Sequence, residues 1–262
     1  MPRSELTPEA YSRLALDVAT EAGTLLLAAY RSRPTPSEKR RHDLVTELDL
    51  KSEALIVERL ATATPELGLV AEERGGEMQR LSWYCDPLDG TTNYVHGHPF
   101  WAVSIGLLED GEPVAGAVVA PALGLTWTGY RGGPALRGGE PCHVSDTSEL
   151  EHALLGTGFP PNRQHAPENN LDTFVLVQKH ARGVRRCGSA AIDMCLVADG
   201  TYDAYWERRL NAWDLAAGAA VLLAAGGRLT ALDGSRANLH VGQIIASNGR
   251  VHDALQALIA PR

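Results

Sequence analysis

The stretch Cys85–Phe100, CDPLDGTTNYVHGHPF, decides how the rest of the chain can be interpreted. Asp86 and Asp89 follow the apolar run LSWYC, which predicts a strand that carries acidic side chains at its end. Carboxylates held close together offer the oxygen ligands that a hard cation such as Mg²⁺ prefers. Gly90 lets the backbone approach a ligand closely, and a helix that opens at residues 90–92 would present its N–H groups to an anion. The same residues also suit an ordinary turn, because Pro and Asp-Gly are frequent in turns.

Three more acidic positions extend this pattern along the chain. Glu72 and Glu73 follow the apolar run LGLVA, so they are expected at the end of a neighbouring strand, where one can supply a third ligand. Asp49 follows Thr46 in DLVTELD and predicts a capping box at a helix start, although the same pair could also hold a water. Asp214 opens an alanine-rich helix, which it either caps or uses to bring an acid from the second half of the chain to the same cluster.

Composition and charge exclude several classes of function. The chain has 262 residues and a net charge of −8, whereas a wide nucleic-acid groove would need a basic excess. Its four cysteines form no C-x-x-C pair, which favours reduced thiols over a zinc or disulfide scaffold. The N-terminal sequence MPRSELTPEAYS lacks the apolar core of a signal peptide, and the apolar run LAAGAAVLLAAGG is too short to span a bilayer. We therefore expect a cytoplasmic protein with no membrane or nucleic-acid partner.

The first half of the sequence predicts helices followed by short strands. Apolar residues at spacings of three and four predict an amphipathic helix over residues 7–30, and a second helix is expected over about residues 48–63. The proline-rich segment Ser32–Asp43 between them is expected to be mobile. The runs that follow read as strands joined by tight glycine turns, which predicts an α+β domain over residues 1–148 with an antiparallel sheet.

From about Leu150 onward, strand and helix patterns alternate. The runs HALLGTGF, GVRRC, YDAYWE, GRLTAL and GQIIAS read as strands. Helices are expected over Glu168–Arg182 and over GSAAIDMCLVADG, WDLAAGAAVLLAAGG and RVHDALQALI. This alternation predicts an α/β domain over residues 149–262, which would supply Asp214 and the substrate side of the site.

Four segments occur together in one order: DLVTELD, AEE, DPLDGTTNYVHGHPFWAVSIGL and WDLAAG…AAGG. Over residues from about 10 to 255 they resemble the inositol monophosphatase family of Mg²⁺-dependent phosphatases, in its bacterial inositol-1-monophosphatase or extragenic suppressor branch. The resemblance implies an α/β fold of the layered αβαβα type, a homodimer, and a site between the two halves with two or three Mg²⁺ ions. It also implies that inositol 1-phosphate and related polyol phosphates are hydrolysed, and that lithium inhibits the reaction.

The resemblance further assigns roles to individual residues. The implied metal ligands are Glu72, Asp86, Asp89, Asp214 and the backbone carbonyl of Leu88. Asp49 and Thr91 would orient the attacking water, and Glu72 would also help to hold a third ion through water. The implied substrate-binding residues are Asp89, Gly90, Thr91, Thr92, Ala190 and Glu207.

The sequence departs from the family pattern at positions that carry no metal ligand. Ala71 precedes the acid pair where the family usually has Gly, and Ala225 stands where the family often has Glu. Asn211 occupies a variable position on the substrate side, which leaves the leaving group open. All the carboxylates that the reaction needs are present, so an active enzyme is expected.

Other functions remain open at the level of sequence. Related phosphatases act on fructose 1,6-bisphosphate, 3′-phosphoadenosine 5′-phosphate or histidinol phosphate, and a bisphosphate would need an extra basic pocket. The arginines available for one, each expected on the surface instead, are Arg185, Arg186, Arg208 and Arg209. A partner-binding regulatory protein on the same fold would be expected to lose an acid such as Asp49 or Asp214, and both are present. A Ca²⁺-binding structural protein would leave residues 90–92 unexplained, and the loop lacks EF-hand spacing.

Overall fold

The computed structural model describes residues 6–32, 37–40, 43–160, 164, 166 and 169–260. Its helices are α1 (Pro8–Ala29), α2 (Glu47–Ala63), α3 (Thr91–Val95), α4 (Leu171–Gln178), α5 (Ala190–Ala198), α6 (Ala212–Ala224) and α7 (His252–Ile259). Its strands are β1 (Ser37–Arg40), β2 (Asp43–Val45), β3 (Gly68–Ala71), β4 (Gly75–Glu77), β5 (Leu81–Asp89), β6 (Ala102–Glu109), β7 (Glu112–Ala120), β8 (Leu125–Tyr130), β9 (Ala135–Arg137), β10 (Glu140–Cys142), β11 (Leu154–Thr157), β12 (Gly183–Arg185), β13 (Ala204–Glu207), β14 (Arg228–Thr230) and β15 (Ile244–Ser247).

These elements stack in five layers. Helices α1 and α2 pack on one face of an eight-stranded sheet with the order β10-β9-β8-β7-β6-β5-β3-β4. Helices α5 and α6 cover its other face and also contact a five-stranded sheet with the order β12-β11-β13-β15-β14. Helices α4 and α7 pack against each other and against the second sheet. This αβαβα order confirms the predicted fold, because each sheet buries an apolar face against helices.

A separate hydrophobic core fills each space between a sheet and its helices. Trp83 and Trp101 are fully buried between the large sheet and the pair α1 and α2. Trp127 is buried among residues of α5 and α6, between the two sheets. Trp206 is buried in the outer core beneath α7. The burial of these large side chains supplies much of the hydrophobic stabilisation, at roughly 25 cal/mol per Å² of apolar area.

A row of glycines lets α6 lie directly on the large sheet. Gly106 pairs with Gly116, and Gly116 pairs with Gly129, so the three occupy adjacent positions across three strands. A Cβ atom at Gly116 would lie 2.7 Å from the Cα of Ala217, and one at Gly129 would lie 2.6 Å from the Cα of Val221. Any larger side chain in this row would therefore push α6 away from the sheet.

The pairing of the strands adds detail to the predicted sheets. The first sheet is mainly antiparallel as predicted, except that β3 runs parallel to β5. The second sheet is mixed, because β11 is parallel to β12 and β13, whereas β15 is antiparallel to β13 and β14. The sequence also left β4 unassigned, since its residues Gly75–Glu77 are exposed and show no apolar pattern.

Two segments differ from the sequence prediction. Helix α4 begins at Leu171 instead of 168, because the Asn170 side chain donates to Thr157 Oγ1 at 2.8 Å and to the Gly158 carbonyl at 2.7 Å. The helix ends at Gln178 instead of 182. Part of the segment predicted to be mobile, residues 33–36 and 41–42, lies outside the described residues, and the flanking strands β1 and β2 pair with each other. Within the described chain, every helix is too short or too polar to cross a bilayer.

Candidate active site

A bulge in β5 places the first two acids. Asp86 pairs with Ser104 and Asp89 pairs with Ala102, so one extra residue is accommodated in β5 between them. The strand therefore continues to Asp89, and the prediction that it ends at Cys85, with Asp86 following it, was wrong. Asp86 Oδ1 accepts a hydrogen bond of 2.9 Å from the Leu88 N–H, and both aspartates are buried.

Asp49 combines a helix cap with a contact to the site. Its Oδ2 accepts hydrogen bonds from the Thr46 N–H at 2.9 Å and the Thr46 hydroxyl at 2.6 Å, which completes the predicted capping box of α2. Its Oδ1 lies 3.1 Å from the hydroxyl oxygen of Thr91, which is also 3.0 Å from the Leu88 carbonyl oxygen. The Asp49 side chain is fully buried behind Thr91 and so fixes the position of that hydroxyl.

Helix α2 also holds the backbone beside Asp86 and beside Glu72, through two residues that the sequence analysis missed. Ser52 donates a hydrogen bond of 3.0 Å to the Pro87 carbonyl, next to Asp86. The buried Glu53 accepts one of 2.7 Å from the Glu73 N–H, directly after Glu72. Both residues follow Asp49 by three and four positions, so they share its helix face, and this spacing was the available signal.

Two acids connect the halves of the molecule. Asp89 Oδ2 accepts hydrogen bonds from the Ser189 hydroxyl at 2.6 Å and from the Ala191 N–H at 2.8 Å, at the start of α5. Asp214 is the third residue of α6, and its Oδ2 accepts a hydrogen bond of 2.7 Å from the Asn211 N–H. The N-cap is therefore Asn211, and Asp214 contributes to the cap as the third residue of a capping box instead of occupying the N-cap position itself.

One cleft of about 730 Å³ gathers nearly all the residues singled out in the sequence. Those that line it are Glu72, Asp86, Leu88, Asp89, Gly90, Thr91, Thr92, Ala190, Glu207 and Asp214. Asp49 contributes from behind Thr91. The sequence analysis passed over Asn93, His96 and Ser189, which also line the cleft. Asn93 was detectable as a polar residue in the opening motif, and it donates to the Phe100 carbonyl at 2.6 Å and to the Cys187 carbonyl at 2.8 Å.

Like charges in this cleft repel one another. Burial raises the pKa of Asp86 well above its usual value, and the nearby charges of Glu72, Asp89 and Asp214 raise it further. Burial and the charges of Glu72 and Asp89 likewise raise the pKa of Asp214, and burial raises the pKa of Asp89 to about 6. The cluster therefore favours protons or a cation near it over four free negative charges.

Glu207 forms a second acidic feature of the cleft. It ends β13, is buried, and accepts a hydrogen bond from the Tyr205 hydroxyl. Burial raises its pKa to about 7. Its carboxylate lies against Gly158, where a Cβ atom would clash with it, so the glycine leaves the room that the carboxylate occupies.

The donor set fits a hard divalent cation by its chemistry. Four carboxylates and a carbonyl offer oxygen only, and the raised pKa values record a deficit of positive charge among them. Among the described residues, no three acidic, histidine or cysteine side chains already have the arrangement that would hold a metal ion. The carboxylates of Asp86, Asp89 and Asp214 are instead each held through one oxygen by N–H or O–H groups.

Comparison with known proteins places this site in a family. A family model described as the inositol monophosphatase family matches residues 8–262. The chain belongs to the inositol monophosphatase family. It is 40% identical over 253 residues to inositol-1-monophosphatase of Synechocystis sp., covering 94% of this chain and 88% of that protein. It is also 39% identical over 257 residues to the Nus factor SuhB of Pseudomonas aeruginosa, covering 95% of each.

The structural comparison agrees with membership in the inositol monophosphatase family. The solved structure of inositol monophosphatase from Anabaena superposes with a TM-score of 0.89 at 38% identity, covering 97% of both chains. The resemblance carried by the four motifs and the layered fold that it implied are thereby confirmed. Members of this family are metal-dependent phosphatases that act on small phosphorylated substrates.

Proposed function

We propose that this protein is a Mg²⁺-dependent phosphomonoesterase that hydrolyses inositol 1-phosphate and related polyol phosphates. The observation that carries the proposal is the composition of one cleft. It brings four carboxylates together with the start of α3 and with the buried Glu207. Hydrolysis of a phosphate ester requires positive charge near the phosphate, N–H donors to its oxygens and groups that recognise its alcohol portion. Cations bound by the acids would supply the first, the start of α3 the second and Glu207 the third.

The acid cluster is proposed to hold two or three Mg²⁺ ions through Glu72, Asp86, Asp89, Asp214 and the Leu88 carbonyl. When bound, Mg²⁺ would neutralise phosphate charge and lower the pKa of the attacking water. The existing hydrogen bonds to Asp86, Asp89 and Asp214 fix the direction in which each carboxylate is presented to the cleft. The network of partners around these ligands is therefore expected to affect metal affinity as well as geometry.

Asp49 and Thr91 are proposed to orient the attacking water. Thr46 holds one oxygen of Asp49, so the other oxygen is directed at the Thr91 hydroxyl. When that hydroxyl donates to Asp49, its lone pairs face away and can accept a proton of water. A fixed hydroxyl of this kind orients the water without itself changing charge.

The backbone at Gly90 is proposed to hold the phosphate. Gly90 has a φ of 92°, and a Cβ atom there would lie 3.0 Å from the Phe100 carbonyl oxygen, so only glycine fits this close turn. The N–H groups of residues 90–92 begin α3 and are proposed to donate to phosphate oxygens. Glu207 and the backbone at Ala190 are proposed to contact the hydroxyls of the polyol.

Phosphate release from a substrate panel tests this function. The panel contains inositol 1-phosphate, glycerol 2-phosphate, fructose 1,6-bisphosphate, 3′-phosphoadenosine 5′-phosphate and histidinol phosphate, each with Mg²⁺ and with Asp86→Asn as the blank. We expect wild-type protein to release phosphate from inositol 1-phosphate and the variant to release none. Preference for the nucleotide or for histidinol phosphate would replace the proposed substrate, and equal release by the variant would refute the role of the acid cluster.

A regulatory role is the second candidate, because the chain is 39% identical to a protein named Nus factor SuhB. The proposed ligands and Asp49 are all present, which favours turnover as the main function. Silence across the whole panel would leave the partner-binding role in the lead. A homodimer is also proposed, and light scattering would then give about twice the 28.1 kDa of one chain.

A further inference from the structure

Only two of the four arginines considered in the sequence reach the cleft. Arg186 and Arg209 line it. Arg208 is buried and donates a hydrogen bond of 3.2 Å to the Ile259 carbonyl, in the outer layer. Arg185 is exposed on β12 and is absent from the cleft wall. The structure therefore separates the arginines into a pair at the site and a pair away from it.

Arg186 lies next to Gly188 on the wall of the cleft. A Cβ atom at Gly188 would be 2.8 Å from Nη1 of Arg186 and 3.3 Å from Nδ2 of Asn93. The positive charge of Arg186 lowers the pKa of Glu207, although burial outweighs it. The guanidinium is therefore close enough to influence the residue proposed to contact the alcohol portion of the substrate.

Arg209 reaches the cleft from an unusual backbone conformation. Its φ is 65°, in the left-handed region that favours glycine. Glu207 lines the cleft, Arg208 is buried, and Arg209 again lines the cleft two residues later. Strained backbone conformations are often found at functional sites, where the surrounding contacts hold them in place. The conformation of Arg209 fits this pattern.

Both guanidinium groups belong to exposed residues, as the sequence predicted, and neither is held by a hydrogen bond or a close ion pair within the described residues. Arg186 and Arg209 make no hydrogen bond there and no ion pair within 4.0 Å, whereas arginines elsewhere, such as Arg131 and Arg250, are paired with carboxylates. A guanidinium offers five N–H donors and no acceptor, so a hydroxyl is a weaker partner for it than an anion. Two guanidinium groups on the wall of one cleft thus leave a site for negative charge.

We propose that Arg186 and Arg209 form a second anion subsite, which recognises a phosphate or carboxylate on the alcohol portion of the substrate. The proposal rests on the proposed function and adds to it a preference for phosphomonoesters that carry a second anionic group. Planar guanidinium groups bind both phosphate and carboxylate through paired hydrogen bonds, so the two sources share one chemistry. The subsite is placed on the side of the cleft where Arg186 lies near Gly188 and Asn93 and acts on Glu207.

Matched substrate pairs test the subsite. Inositol 1-phosphate is compared with inositol 1,4-bisphosphate, and glycerol 2-phosphate with 2-phosphoglycerate, so that each pair differs by one phosphate or one carboxylate. The ratio of kcat/KM within each pair is measured for wild-type protein and for Arg186→Gln, Arg209→Gly and the double variant. Arg185→Gln is the matched control, because Arg185 directly precedes Arg186 in the sequence but does not line the cleft. Arg209→Gly also relieves the positive φ, so it is expected to fold.

We expect the doubly anionic member of a pair to be preferred about five- to tenfold, as charged hydrogen bonds of this type allow. The double variant should lose that preference while its kcat/KM for inositol 1-phosphate changes less than about twofold. Preference for the bisphosphate alone would identify phosphate as the anion, and preference in both pairs would include carboxylate. Equal losses for both members of a pair would overturn the proposal, because the arginines would then act on the ester phosphate.

A binding measurement separates failure of the subsite from failure of the proposed function. The shift in melting temperature caused by each substrate is recorded for the same proteins. No phosphate release together with an arginine-dependent, larger shift from the bisphosphate would refute the phosphatase but keep the subsite. Phosphate release with identical shifts from both members of each pair, unchanged in the double variant, would keep the phosphatase and refute the subsite.

Discussion

At the scale of single residues, Asp49 shows how one side chain serves both the fold and the site. The capping box was predicted from the spacing of Thr46 and Asp49, because caps depend on neighbours in sequence. Asp49 and Thr91 are 42 positions apart, so their contact could be expected only from the family resemblance or from the tertiary fold. Asp214 was placed at the cap instead of three residues inside the helix, since the position of a helix start is poorly determined by local pattern.

Glu53 gives the prediction that belongs to this scale. We expect Glu53→Ala to remove the carboxylate that accepts from the part-buried Glu73 N–H, which costs about 1–3 kcal/mol of unfolding free energy. Because that N–H belongs to the residue directly after Glu72, its loss of support should lower kcat and weaken Mg²⁺ binding. Glu53→Gln retains an oxygen that can accept and should restore most of both properties. The measurement is thermal denaturation together with Mg²⁺ titration of phosphate release.

Glu58→Ala on the same helix is the control, because Glu58 is exposed and is not among the residues that line the cleft. Identical behaviour of Glu53→Ala and Glu58→Ala would show that Glu53 does not position the acidic segment.

At the scale of elements, helices with clear apolar periodicity and strands bounded by glycine turns were predictable from local sequence. Helices α1 and α2 begin and end close to the expected residues, because capping and periodicity are local signals. Helix α4 is shorter than expected, since Asn170 is used to bond the neighbouring strand β11. The match of three glycines beneath α6 depends on strand register, which separate runs of sequence do not specify.

The glycine row predicts a large cost for a very small change. Gly116→Ala should place a methyl group 2.7 Å from the Cα of Ala217 and force α6 away from the sheet. We expect a loss of about 1–3 kcal/mol in unfolding free energy. Because α6 carries Asp214, the Mg²⁺ concentration needed for half-maximal activity should also rise. Denaturant unfolding and Mg²⁺ titration measure these two effects.

Gly183→Ala is the matched control, since its added Cβ would meet the flexible end of Arg185 at 3.2 Å and make an ordinary contact with Leu154 at 3.8 Å. Equal stability of the two alanine variants would contradict the close contact between α6 and the sheet.

At the scale of the whole molecule, local patterns predicted an α+β half and an α/β half, and only the family resemblance supplied the five-layer order. The packing of α5 and α6 between both sheets is a long-range property. The same packing brings Asp214 and Glu207 to acids from the first half. The site is thus a product of the complete chain, and its composition was easier to predict than the pairing that assembles it.

The collected acids predict how stability depends on pH without divalent metal. Glu207, with a pKa of about 7, and Asp86 and Asp214, with pKa values raised well above normal, bind protons more tightly in the folded state. Their stabilising contribution is therefore lost as the pH rises through those values. His252, whose pKa is lowered to about 4, acts in the opposite direction, but only below its unfolded value of about 6.5.

In EDTA we expect the melting temperature to fall as the pH rises from about 6.5, above which His252 no longer opposes the effect, through about 7, where Glu207 loses its proton. Each acid that is protonated only in the folded state contributes a loss of up to about 1.4 kcal/mol of stability per pH unit. Saturating Mg²⁺ should abolish this fall, because it favours the ionised carboxylates. Thermal denaturation across that pH range, with and without Mg²⁺, measures both effects. A metal-free melting temperature that rises over the same range would contradict the assigned electrostatics.

The central claim is that the cluster around Asp86 binds Mg²⁺ for phosphate ester hydrolysis, and calorimetric titration with Mg²⁺ tests it most directly. Wild-type protein and Asp86→Asn are titrated at pH 7.5, and phosphate release from inositol 1-phosphate is assayed on the same samples. We predict that the wild type binds Mg²⁺, that the variant binds it at least about tenfold more weakly as expected for the loss of a charged ligand, and that only the wild type releases phosphate. Equal Mg²⁺ affinity in the two proteins, or phosphate release that persists in EDTA, would contradict the claim.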